Sequence, residues 1–164
     1  MSEVAKQTAP AYDPYPLDVL AIVRLVLIGV ITGAVGWLLY LGIANFFIDP
    51  VFCRSAETYS VCRSGGTIAW IGAHVIVLAA ATAVLARLAV YRPLLVVLAT
   101  LVTLWGAHGW LGGMEWYVGL VWQAVLFGAA FAVFGWIARL PSFLLALILT
   151  LIVAVLSRIV LMLS

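Results

Sequence analysis

Few residues of this chain could do chemistry, and each is surrounded in sequence by apolar neighbours. His74 and His108 carry imidazoles, Glu115 a carboxylate, Gln123 an amide and Arg158 a guanidinium. Two imidazoles and a carboxylate suit zinc or a related ion, or a proton relay. Three scattered ligands are not a motif, however, and hydrogen bonding to a neighbouring helix accounts for each histidine more simply. An arginine in hydrocarbon costs about 2.5–3.5 kcal/mol on insertion scales unless it snorkels or is paired. Glu115 is therefore the expected partner of Arg158, with Glu57 competing. Trp70, Trp105, Trp110, Trp116 and Trp122 read as an interfacial belt, because indole favours the lipid–water boundary. The sharper alternative is a polar, tryptophan-rich groove for a lipid, quinone or peptide segment. The candidate binding cluster is thus His74, His108, Glu115, Gln123, Arg158, Trp70 and Trp122, with no catalytic residue and no metal site assigned and the cofactor left unknown.

The two cysteines, Cys53 and Cys62, stand as C-x8-C. Zinc needs more ligands than their segment offers, and redox exchange more naturally uses C-x-x-C. A structural disulfide is the expected use, closing a loop that holds Arg54, Glu57 and Tyr59 and requiring an oxidising compartment. P-loop, H-E-x-x-H, G-x-S-x-G and EF-hand patterns are absent, so the usual sequence support for ATP-driven transport, zincin or serine hydrolysis and calcium sensing is missing.

The elements that position these residues follow from composition. Hydrophobic residues make up 67% of the 164 positions and charged ones 9%, against roughly 45–50% and about 25% in soluble domains. That pattern predicts an all-α, polytopic transmembrane helical bundle, since a helix satisfies its own backbone in lipid and crosses with about 20 residues. Polar interruptions delimit five predicted spans: Leu25 to Phe47, Thr67 to Ala86, Pro93 to Trp110, Tyr117 to Ala138 and Ser142 to Leu163. Residues 1–16 read as a flexible cytoplasmic tail without the basic start of a signal peptide. Residues 17–164 read as one helical domain, with a disulfide-closed outer loop at 48–66. Pro93 and Pro141 fall at helix starts, where proline is tolerated, so no broken helix is expected.

Lys6, Arg24, Arg87, Arg92 and Arg139 gather on one side if the N-terminus is cytoplasmic, which favours an N-in, C-out orientation. The cysteine segment then lies on the oxidising side of a plasma or bacterial inner membrane, and both histidines in the outer leaflet. A net charge of +2 gives no reason to expect nucleic acid. Gly29 and Gly33 form a G-x3-G step that Gly36 continues, a surface for close helix packing within the bundle or between two chains. Trp-x16-Arg recurs from Trp70 to Arg87 and from Trp122 to Arg139, a hint of duplication that belt and anchor residues also explain.

Three functional classes fit. The first is a non-enzymatic accessory or assembly protein acting through its extracytoplasmic face on a membrane-protein partner or a second copy. The second is a small lipid-binding or transport protein using the outer groove. The third is a membrane enzyme built on His74, His108 and Glu115. The lipid bilayer is a partner in all three.

Overall fold

The computed structural model describes residues 19–53, 59–88, 90, 92–111 and 113–163, and only the backbone of residues 52, 59–63, 108 and 161–163. Every described element is a helix: α1 (Val19–Ile43), a π-helical turn (Ala44–Ile48), α2 (Asp49–Phe52), α3 (Tyr59–Arg87), α4 (Pro93–Thr103), α5 (Ala107–Leu111), α6 (Trp116–Ala138) and α7 (Phe143–Leu163). Among the described residues, four helical stretches are long and apolar enough to cross a membrane. Pro93 opens α4, where the missing N–H has no helical acceptor to lose, and Pro50 follows the π-helical turn that carries α1 into α2. Two of the buried threonines turn their hydroxyls back on their own helix, Thr32 to the Ile28 carbonyl at 2.6 Å and Thr100 to the Val96 carbonyl at 2.8 Å. That satisfies them where no water is at hand.

The centre of the bundle is the antiparallel contact of α1 with α6, made close by glycine. A Cβ at Gly29 would lie 2.7 Å from the Phe127 carbonyl oxygen, and one at Gly33 2.5 Å from that of Gln123. Gly36 meets the imidazole of His74 on α3 instead. The small-residue step is thus used inside the chain, α1 lying between α6 and α3. Around it pack Leu25, Leu78, Leu85, Val96, Phe127, Phe131 and Phe134.

Two departures from the sequence expectation concern the helix ends. The segment expected as an outer loop at 48–66 is largely helical, because α1 runs on through the π turn into α2 and α3 begins at Tyr59. Ile48 faces inward across Gly65 of α3, joining the two extensions as a hairpin. The third expected span, Pro93 to Trp110, is not one helix. α4 stops after 11 residues, about 16 Å against a hydrocarbon thickness of roughly 30 Å. The chain then turns through Leu104, Trp105 and Gly106, the last with a φ of +89°, before α5 resumes.

Contact registers fix the relative heights. Leu25 faces Gly135, and the Trp37 indole donates to the Trp116 carbonyl at 2.9 Å, so the start of α6 is level with Tyr40 and Leu41. Arg24, Arg87, Arg92 and Arg139 share the opposite end, where Arg92 donates to the Leu140 carbonyl at 3.4 Å and lies 5.0 Å from the Phe143 ring centre. Beyond the level of Trp116, α1 and α2 continue to Phe52, about 16 Å further.

Candidate functional site

Two polar constellations lie in the half of the bundle toward the hairpin. In the first, His74 of α3 and Gln123 of α6 are both fully buried and meet at 2.9 Å between His74 Nε2 and Gln123 Nε2. His74 Nδ1 is 2.8 Å from the Trp70 carbonyl. A carbonyl only accepts, so Nδ1 carries the proton of the neutral ring and Nε2 accepts from the Gln123 amide. The Gln123 carbonyl oxygen has no hydrogen-bond partner. Aromatic faces close the site: Trp70 stacks on His74 at 4.2 Å and Phe127 tilts against it at 5.2 Å. His74 is 15 residues into α3, about four helical turns, because α3 starts earlier than its apolar run, and it is level with Gly36 of α1. Its partner Gln123 is only seven residues, about two turns, from the start of α6, so the pair lies in the part of the bundle toward the hairpin.

The second constellation is at the break between α4 and α5. Among the described side chains of α7 the buried positions are Ala146, Thr150 and Ala154, spaced by four, and Arg158 is the next on that stripe. Small residues let α7 approach α4, and the stripe aims the half-buried arginine at the break, where its Nη1 donates to the Trp105 carbonyl. Helix interruption frees that carbonyl from an i+4 donor. Gly106 lies beside the guanidinium, 3.4 Å from Nη1 to where a Cβ would stand. Trp105 in turn packs edge-on to Trp70 at 6.4 Å, so the two constellations touch through a pair of indoles.

The remaining expected residues are apart from this path. Glu115 is the exposed residue before α6, eight positions and about 12 Å along the helix from Gln123. It makes no ion pair with Arg158: the carbonyl released by the α4–α5 break takes the place expected for the carboxylate. The side chain of His108 and all of Glu57 lie outside the described residues, as does the Cys62 side chain, so the disulfide expectation cannot be placed. Among the described residues no three His, Cys, Asp or Glu side chains gather as a metal set. Trp122 is exposed and meets Trp110 edge-on at 5.7 Å. Sequence reading missed the break, although Gly106, Gly109, Gly112 and Gly113 so close together were a signal for it. It also missed Trp105 as the arginine's acceptor; the Ala-Thr-Ala-Arg spacing could have flagged only that Arg158 lies on the packed face of α7.

Fold and site together define a multi-pass membrane protein with a helix-break arginine and a buried His–Gln pair. No family model, no characterised protein and no solved structure matches the chain.

Proposed function

We propose that this chain is a non-enzymatic accessory or assembly protein of a plasma or bacterial inner membrane, docking a membrane-protein partner through the helical hairpin of α1–α2 and α3. The observation that carries this reading is the hairpin's reach. The stretch Val19–Val51 is 33 residues long, about 50 Å, against roughly 40–45 Å for a whole bilayer. Its extension displays Phe46 at 78%, Phe47 at 65% and Val51 at 61% exposure. Large apolar side chains raised to and past the headgroups are costly in water and inexpensive against a partner. A Cys53–Cys62 bridge would brace the hairpin tip, and the five-crossing, N-in, C-out arrangement would set that tip on the oxidising side. The opposing small-residue face on α1 is occupied by α6 and α3, which directs any partner to the hairpin.

The test is a photo-crosslinking phenylalanine analogue at position 47, activated in native membranes. One adduct of fixed protein mass is expected, absent with the same probe at lipid-facing Leu144 and lost on Phe46→Asp. Capture of lipid alone at position 47 would overturn the reading.

A further inference from the structure

Arg158 combines three properties that together exceed those of a snorkelling anchor. It is held in place by the Trp105 carbonyl rather than left to reach freely. It is half-buried, and its bond to the Trp105 carbonyl is exposed rather than sealed in the core. Its flanks on α7, Val155, Leu156, Ile159 and Val160, are exposed apolar residues. A guanidinium has five N–H donors in a planar fork, and one described acceptor accounts for only part of that capacity. No carboxylate among the described residues pairs with it.

From this geometry we infer that Arg158, oriented by the broken helix at Trp105 and Gly106, binds the phosphate of an anionic lipid headgroup. The fork matches a phosphate through two parallel hydrogen bonds. Depth agrees: Trp105 packs on Trp70, one turn from His74 toward the hairpin, so the guanidinium lies toward the end of the bundle where headgroups begin. The apolar flanks decide between ligands. An anion reaching Arg158 past Val155, Leu156 and Ile159 travels along a hydrocarbon-facing surface, which favours one that carries acyl chains. The half-exposed Trp105 indole, 42% accessible, offers those chains a flat apolar wall at interfacial depth. This site shares no residue with the hairpin surface proposed above, and either can fail alone.

The experiment is native mass spectrometry of the full chain released from nanodiscs of phosphatidylcholine mixed with phosphatidylglycerol. The wild-type chain is expected to retain one phosphatidylglycerol in preference to phosphatidylcholine. Arg158→Gln should lower that retention about tenfold, the worth of one charge-assisted hydrogen bond, and Arg158→Lys should fall between. Arg87→Gln, at the other end of the bundle, should leave it unchanged. Equal retention of the two lipids by the wild-type chain would overturn the inference whether or not the variants fold. So would displacement of the lipid signal by excess inorganic phosphate, which would make a free anion the ligand, or a wild-type level of retention in Arg158→Gln. A co-released protein whose binding, rather than the lipid's, depends on Arg158 would assign the arginine to a carboxylate partner and overturn it too.

Discussion

His74 Nε2 and Gln123 Nε2 lie 2.9 Å apart on helices that the sequence separates by 49 positions, with the imidazole committed by the Trp70 carbonyl to a proton on Nδ1. This bond joins α3 to α6 inside the bundle, where both side chains are fully buried and lipid offers no substitute partner. Removing the amide should therefore strand a buried nitrogen. Gln123→Leu is expected to cost about 1–3 kcal/mol, measured by unfolding in detergent micelles. His74→Phe combined with Gln123→Leu should cost less than the two single changes added together. Nitrogen NMR of the wild-type ring should find the Nδ1–H tautomer; an Nε2–H ring would contradict the pairing.

Glycines in the same helix should differ sharply in their tolerance. At Gly33 a methyl would meet the Gln123 carbonyl oxygen at 2.5 Å, whereas at Gly42 nothing lies within 4 Å. Backbone cannot yield as a flexible side chain does, so Gly33→Ala is expected to lose about 1–3 kcal/mol. Gly42→Ala should hold or gain up to about 1 kcal/mol through helix propensity. Thermal unfolding midpoints of the two variants, side by side, check the difference.

The break in the third apolar segment rests on one left-handed residue. Gly106 has a φ of +89°, a conformation that costs an L-residue about 1–2 kcal/mol. Gly106→Ala should lower stability by that amount and bring a methyl into contact with the Arg158 guanidinium. Gly109→Ala, with open space around its Cβ, should do neither. Equal thermal midpoints for the two variants would mean that the turn is not held as described.

How many times the chain crosses determines on which side its ends lie. Five crossings put Met1 and Ser164 on opposite faces. An even number of crossings would put them on the same face. Phosphatase and fluorescent-protein reporters fused in turn to each end should report opposite faces, with the N-terminus cytoplasmic.

Thiol labelling addresses the hairpin tip. Denatured, unreduced protein from native membranes should take up no alkylating reagent, and reduced protein should take up two equivalents, at Cys53 and Cys62. Reduction should lower stability by about 2–3 kcal/mol. Two equivalents without reduction would remove the brace from the proposed docking element.

What the sequence determined by itself is whatever depends on composition along one stretch of chain. Apolar runs such as Tyr117 to Ala138 marked their helices within a residue or so, since lipid demands length and hydrophobicity and little else. Gly29 and Gly33 were legible as a packing face, and His74, Gln123 and Arg158 as the polar residues that would need partners. Which partners they took was decided by the tertiary structure. Apolar runs and polar breaks cannot show that α1 and α3 stay helical beyond the membrane core, because a helical hairpin braced by Ile48 across Gly65 tolerates polar residues that a lipid-facing span would not. Nor can they show that Arg158 binds a carbonyl rather than Glu115. That carbonyl is an acceptor only because the chain turns at Gly106, and the arginine reaches it only because Ala146, Thr150 and Ala154 bring α7 close. Backbone groups are the same in every residue, so an interaction with one carries no signature in side-chain types and appears only when the helices are packed.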